Sequence, residues 1–342
     1  MANDDPAGVG GLLRGFLLHS RLAQPGEAVR VSALSGGVSS DIWRVEIGEG
    51  GGARTVCVKR ALAQLKVAAE WKVSPERNAF EWAWLKFAAR TLPGAAPTPL
   101  AHDPELGMLA MAYLPPEQYP VWKQQLLEGH VDARTAAQVG ERLCRLHAAS
   151  AGRADLQAEF SSDDLFFALR LEPYLLATAQ AHPDLGPELR ALVSGTAGRR
   201  VALVHGDVSP KNILVGADGP LFVDAECAWY GDPAFDLAFC LNHLLLKALP
   251  CQGRLDELLH SFESLRHSYL EQVTWEAPAE VEARSAALLP ALMLARIDGK
   301  SPLEYVTDPA QKDRVRTVAR PLIAAPVRML GQVAQVWRAA NE

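Results

Sequence analysis

The chain has 342 residues, of which 49% are hydrophobic and 22% charged, with a formal net charge of −6. That length suits two lobes or domains, the acidic balance argues against a nucleic-acid partner, and no apolar run approaches the roughly 18 residues that span a bilayer. The five cysteines, Cys57, Cys144, Cys227, Cys240 and Cys251, are odd in number and contain no C-x-x-C pair, which argues against a disulfide framework or a zinc site.

The first residues, Met-Ala-Asn-Asp-Asp-Pro-Ala, are acidic and lack a basic-then-apolar leader, so a cytoplasmic protein with a frayed stretch over 1–10 is expected. Residues 29–34 predict a strand, 35–40 (Ser-Gly-Gly-Val-Ser-Ser) a Gly-rich turn, and 42–47 (Ile-Trp-Arg-Val-Glu-Ile) a half-buried strand by its alternation. Gly48-Glu-Gly-Gly-Gly52 is turn chemistry, and 55–59 (Thr-Val-Cys-Val-Lys) the third strand. Ser74-Pro75-Glu76 offers a cap, a Pro at the first helical position and an acid in the first turn, predicting a helix to about Arg90, before Pro93-Gly94. A turn and strand follow over 106–114, and Pro115-Pro116 divides the chain into a lobe over 1–114 and another over 115–342.

The second part reads as mainly helical. Val139, Leu143 and Leu146 share one helical face, and 235–247 is a strongly apolar helix. Between them, 212–224 forms a hairpin around Gly216-Ala-Asp-Gly219. Charge is uneven: 1–114 holds 12 Lys/Arg against 11 Asp/Glu, and 115–342 holds 22 against 29. The acidic second part either favours a cationic substrate or is a solvated surface.

The chemistry concentrates in His205-Gly206-Asp207-Val-Ser-Pro-Lys211-Asn212 and in the strand that ends at Asp224. Kinase-type phosphoryl transfer needs a carboxylate beside the acceptor hydroxyl, and an amide oxygen and a carboxylate for magnesium. Asp207 fits the first role; Asn212, five residues on, and Asp224 fit the second, as hard oxygen donors that leave the rest of the shell to water and phosphates. His205 is expected to brace the loop, and Lys211 either neutralises transferred phosphate or points to solvent. Lys59 ends Val56-Cys57-Val58-Lys59, similar to the strand lysine V-A-I-K; alternation puts Cys57 beside it, toward an adenine pocket. Glu81 in mid-helix is the choice to hold Lys59, with Glu76 as rival. Gly36, Gly37, Ser39 and Ser40 place backbone N–H groups and hydroxyls where phosphates could be covered. No G-x-x-x-x-G-K-[ST] occurs.

In this order, the Gly-rich hairpin, strand lysine, helix glutamate, H-G-D-x-x-x-x-N, strand aspartate and Gly231-Asp-Pro-Ala-Phe-Asp236-Leu resemble the aminoglycoside phosphotransferase/choline kinase superfamily over roughly residues 30–250. The resemblance implies an α+β, two-lobed protein-kinase-like fold: an N-terminal antiparallel sheet plus helix, and a larger, mainly helical C-terminal lobe. It implies ATP and magnesium as cofactors and a small-molecule hydroxyl as acceptor; from charge and the lack of a spanning run, no nucleic-acid or membrane partner is expected. It also makes Asp207 catalytic, Asn212 and Asp224 metal ligands, Lys59 a phosphate contact, and Asp236 the buried acid that holds the catalytic loop.

The stretch from Asp224-Ala-Glu226 through Asp236 looks most like the methylthioribose kinase branch, which carries paired arginines in its substrate region; here Ala295-Arg296-Ile-Asp298-Gly-Lys300 has one. Glu226, Trp229, Asp232 and Arg296 are candidates for the substrate rim, and the acceptor itself is not named by the sequence. Two other readings compete. A protein kinase lacks support because no D-F-G or A-P-E follows, and only about a dozen residues separate Asp224 from the next helix. A nucleotide-binding scaffold is disfavoured because every part needed for chemistry is present.

Overall fold

A strand reading Val56-Cys57-Val58-Lys59 needs apolar cover on both faces. The computed structural model, which describes residues 6–34, 40–62 and 76–342, supplies it. This strand, β3 (Arg54–Ala61), is central in a five-stranded antiparallel sheet with β1 (Val29–Ala33), β2 (Ser40–Ile47), β4 (Pro99–Asp103) and β5 (Met108–Ala112). The order is β1-β2-β3-β5-β4, and the register sets Trp43 opposite Val58 and Val45 opposite Val56. Those four side chains, with Ile47, Met108 and Ala110, form one apolar layer, closed by Leu13, Phe16 and Leu17 of α1 (Pro6–His19). On the opposite face Cys57, Leu109 and Met111 join Trp84, Leu85 and Phe87 of α2 (Arg77–Thr91) in the main core.

Two of these elements are not apparent in the sequence. Four glycines (Gly8, Gly10, Gly11 and Gly15) lower the helical propensity of α1, yet its apolar stripe is buried by the sheet, and tertiary packing overrides propensity. The helix starts at Pro6, inside the stretch expected to fray. β4 opens on a proline, at the sheet's edge, where a missing N–H is tolerated. The expected Gly-rich turn at 35–39 and the expected helix start at Ser74-Pro75 lie outside the described residues, and α2 runs one residue past Arg90.

The rest of the chain is mostly helical: α3 (Trp122–Leu127), α4 (Ala133–Ser150), α5 (Ala154–Glu159), α6 (Asp163–Phe166), a π-helical stretch Phe167–Leu176, α7 (Ala177–Ala181) and α8 (Gly186–Ala197). Two short ribbons follow, β6 (Ala202–Val204) with β9 (Trp229–Gly231), and β7 (Ile213–Gly216) with β8 (Gly219–Phe222). Then come α9 (Ala234–Lys247), α10 (Leu255–Leu270), α11 (Pro278–Asp298), α12 (Pro309–Ala324) and α13 (Leu330–Ala339).

All 14 residues of α9 are buried, including the polar Asp236, Asn242, His243 and Lys247. It packs against α10 and α11, while α4 lies across α10 so closely that a Cβ on Gly140 would sit 2.3 Å from the Leu265 carbonyl oxygen. All five cysteines are unpaired and buried. Among the described residues no helix is long and apolar enough to cross a membrane.

Candidate active site

The loop after β6 carries the H-G-D motif, and a buried acid holds its backbone. Asp236, in the first turn of α9 and 0% exposed, accepts the N–H of His205 at 2.7 Å and of Gly206 at 2.9 Å. His147 of α4 reaches the same carboxylate at 3.2 Å through Nε2, and its Nδ1 meets the Tyr269 hydroxyl at 2.7 Å. Gly206 has φ +78°, and a Cβ there would fall 2.5 Å from the Cys227 carbonyl oxygen, so the turn requires glycine.

The Nδ1 of His205 faces the N–H of Asp207 at 3.2 Å, and its Nε2 faces the Val223 carbonyl at 3.2 Å. Those partners assign a neutral ring with the proton on Nε2. Burial, the largest influence, lowers its pKa and keeps it neutral despite nearby acids. The bracing expected of His205 is thus a tie between the catalytic loop and the end of the β7–β8 hairpin.

Asp207 is buried at the loop's end, 3.0 Å from Arg170 Nη2 and 3.1 Å from Lys211 Nζ. Burial alone would raise its pKa, but the Arg170 guanidinium and the Lys211 ammonium outweigh it and hold the carboxyl below its ordinary value. Lys211 therefore folds back on Asp207, which answers its open orientation. The Asn212 amide nitrogen donates to the Asp207 carbonyl at 3.1 Å, which leaves the amide oxygen available. Asp224 follows β8 with φ +67°, a left-handed backbone uncommon for a residue with a side chain, though aspartate is among the types enriched there.

Lys59 joins the two parts of the chain. Its ammonium is 2.8 Å from Glu81 on α2 and also contacts Asp224 Oδ1. Burial disfavours its charge, but Asp224, Glu81 and Glu226 together raise its pKa, so it is firmly a cation. Glu81 is pushed by burial to about 7, against the opposing pull of Lys59. Cys57 shares the face of Lys59 and is buried, and desolvation pushes its thiol up to about 12. Ser40 begins β2 with its hydroxyl buried and without a hydrogen-bond partner among the described residues. Gly36, Gly37 and Ser39 lie outside those residues.

The four rim candidates part company. Glu226 is buried and bonded to Arg77 Nε at 3.0 Å, on the α2 side next to the Lys59 cluster. Trp229 points inward from β9, stacked on Phe166 at 4.2 Å, with its indole N–H donated to Asp163 at 2.7 Å. Asp232 is 1% exposed and clamped by Arg284 of α11 at 2.8 Å. These three are held by the fold and do not form a rim. Arg296 differs from them in having no carboxylate partner: it is bonded to the Tyr174 hydroxyl at 3.2 Å and the Ser301 hydroxyl at 2.8 Å.

Three residues of the site are absent from the motifs: Arg170, which also donates to the Gly206 carbonyl, Arg77 and His147. The only sequence signal for Arg170 is a lone cation inside the apolar run Phe166-Phe-Ala-Leu-Arg-Leu171. Among the described residues no group of three or more His, Cys, Asp or Glu is arranged to hold a metal ion. The pair Asn212 and Asp224 suits magnesium, a hard cation that retains water and phosphate oxygens in its shell.

A profile described as the phosphotransferase enzyme family matches residues 30–256, more than half of the chain. The chain is 28% identical over 272 residues to a methylthioribose kinase of Pectobacterium carotovorum subsp. carotovorum, covering 67% of each. Among solved structures, an amicoumacin kinase in complex with AMP-PNP, Ca2+ and Ami aligns with a TM-score of 0.58 at 13% identity, over 97% of both chains. A choline/ethanolamine kinase family protein of Mesorhizobium loti aligns with a TM-score of 0.52 at 17% identity, over 97% of this chain and 99% of that one. At such identities the likeness is one of fold: a kinase-like arrangement of an N-terminal antiparallel sheet with helices and a larger helical part.

Proposed function

The chain belongs to the phosphotransferase enzyme family and is a small-molecule phosphotransferase with an alcohol acceptor; on that premise we propose that ATP with magnesium is the donor and that Asp207 receives the acceptor's proton. One observation carries the reading: Lys59 Nζ sits between Glu81 and Asp224, so the sheet's cation and the C-terminal acid meet at one point. A strand lysine so held is placed to contact the nucleotide's phosphates, with Glu81 fixing its position.

The acceptor hydroxyl approaches Asp207, whose carboxylate is ionised and acts first as an orienting acceptor. As the hydroxyl oxygen bonds to the γ-phosphorus, the bond to the β-phosphate oxygen breaks. The electron pair leaves with ADP, and the hydroxyl proton passes to Asp207. Arg170 and Lys211 hold the carboxylate in register throughout, 3.0 and 3.1 Å away. Asn212 and Asp224 would hold magnesium, whose charge would offset that of the phosphates. Catalysis of this kind rests on positioning and charge neutralisation, because the protein forms no covalent intermediate.

A sugar-like, choline-like or aminoglycoside-like acceptor is compatible with the family, and the named sugar kinase relative supports the first. The test is ADP formation from ATP and magnesium across a panel of hydroxylated metabolites, with Asp207→Asn as control. Turnover that vanishes in the variant is the expected result. Turnover that persists in Asp207→Asn refutes the assignment of Asp207.

A further inference from the structure

Lys247, Arg296 and Tyr305 form a polar cluster in which neither basic group has a paired carboxylate among the described residues. Asp236, Phe239, His243 and Lys247 follow one another at steps of three or four along α9, so they share a stripe. The near end of the stripe anchors the catalytic loop, and Arg170, the partner of Asp207, lies over the Phe239 ring at 5.8 Å. The far end presents Lys247, 1% exposed.

Among the described residues, the Lys247 ammonium has no carboxylate and no hydrogen-bond acceptor. Its one neighbour of note is the Tyr305 ring, with the centroid 3.6 Å away. Burial, reinforced by the nearby Lys123, pushes Lys247 down to about 7. Arg296 of α11, 5.7 Å from the Tyr174 ring centroid, is near enough for its charge to bear on Lys247 as well. It bonds only neutral oxygens, from Tyr174 and Ser301, and its Nε is buried without a partner. The Tyr305 hydroxyl is likewise buried and unpartnered. The carboxylate nearest the cluster, Glu304, is already paired with Lys123.

Two basic groups without a paired carboxylate are costly to hold in the charged form, and the lowered pKa of Lys247 reflects that cost. A ligand that brings negative charge removes that cost, and a cationic one would add to it. We propose that the acceptor carries an anionic group, a carboxylate or a phosphate, held by Lys247 and Arg296 while its hydroxyl meets Asp207. This reverses the suggestion of the chain's acidic second part, since the basic character of the Lys247 and Arg296 cluster is opposite in sign to the balance of residues 115–342. The proposal rests on the phosphotransferase reading for the role of the hydroxyl, but anion binding itself does not.

Two readouts on the full chain separate the two claims. In the first, calorimetric binding of ribose, ribonate, ribose 5-phosphate, glycerate and choline is measured with a non-hydrolysable ATP analogue and magnesium present. In the second, ADP formation is measured with the same compounds and ATP. At least one anionic probe is expected to bind roughly thirtyfold or more tightly than ribose, and Lys247→Met and Arg296→Met to abolish that margin. Lys247→Arg, which keeps the charge, is expected to restore part of it. In turnover the Lys247→Met loss should appear in KM, with kcat retained.

Selective binding of ribonate and glycerate identifies a carboxylate; selective binding of ribose 5-phosphate identifies a phosphate ester. Failure of all three anions to bind better than ribose, or equal binding to Lys247→Met, overturns the anionic subsite whatever the turnover. Anion binding with no ADP formation from any acceptor leaves the subsite standing and counts against the phosphotransferase reading instead.

Discussion

Replacing Asp236 by asparagine tests whether one buried carboxylate fixes the catalytic loop. The wild-type side chain accepts two backbone N–H groups, at 2.7 and 2.9 Å, and His147 Nε2 at 3.2 Å. Asparagine fits the same space. Its oxygen can replace Oδ2, which serves His205 and His147, but its NH2 then confronts the Gly206 N–H, donor against donor. The loss is one charge-assisted bond at a buried amide, about 1.5–3 kcal/mol. In local opening that corresponds to exchange at this loop roughly tenfold to a hundredfold faster.

Hydrogen–deuterium exchange of a peptide spanning 203–209 reads this directly, with β2 and β3 peptides as the reference for global stability. ADP formation in parallel is expected to show a lower kcat with ATP affinity retained, because the Lys59 cluster is untouched. Unchanged protection at 203–209 with a folded variant would refute the anchoring role. An equal increase in exchange over the reference strands would show that Asp236 supports the whole fold and not the loop.

Asp207→Asn is expected to lower kcat by about 10²–10⁴ while ATP still binds, measured by ADP formation and by nucleotide titration. Lys59→Met removes the cation between two acids, so nucleotide affinity should fall. In that variant Glu81, already lifted to about 7 by burial, stays protonated in the fold while its unfolded form ionises near its ordinary value. The wild-type fold holds the same proton up to about pH 7, so the variant should lose stability relative to wild type as pH rises above about 7, where only the wild type releases it, visible in denaturation midpoints. A difference independent of pH would exclude this linkage. Gly140→Ala places a methyl 2.3 Å from the Leu265 carbonyl oxygen and should force α4 from α10 at a cost of about 1–3 kcal/mol; an unchanged melting temperature would contradict the close approach.

The parts of the site legible in the sequence are those whose geometry is local. Asp207 and Asn212 share one loop, and strand alternation puts Lys59 beside Cys57 and away from Val56 and Val58, as the two apolar layers require. Glu81 over Glu76 follows from its mid-helix position, and the structure pairs it with Lys59. What the sequence hides depends on distant packing. Arg170 meets Asp207 only because the π-helical stretch passes beneath the catalytic loop, and Arg77 meets Glu226 across 149 residues.

Trp229 and Asp232 mislead for the same reason. They stand in the short segment between Asp224 and the next helix, but pairing of β9 with β6 turns Trp229 into the core, and Arg284, 52 residues on, captures Asp232. The pairing of Lys247 with Arg296 is likewise invisible to a charge count, because the two belong to separate helices.

The one-sided stripe of α9 has a bearing on how such an enzyme can be re-tooled. Asp236 and Lys247 are 11 residues apart on one rod, about 16 Å at the helical rise. Because that rod is encased along its whole length, its two ends are kept at a constant distance, yet they touch different neighbours. A library confined to His243, Lys247, Arg296 and Tyr305 can therefore vary that end of the helix without shifting the loop that carries Asp207. Diversity introduced at the other end has no such licence, since every change there reaches the backbone of His205 and Gly206.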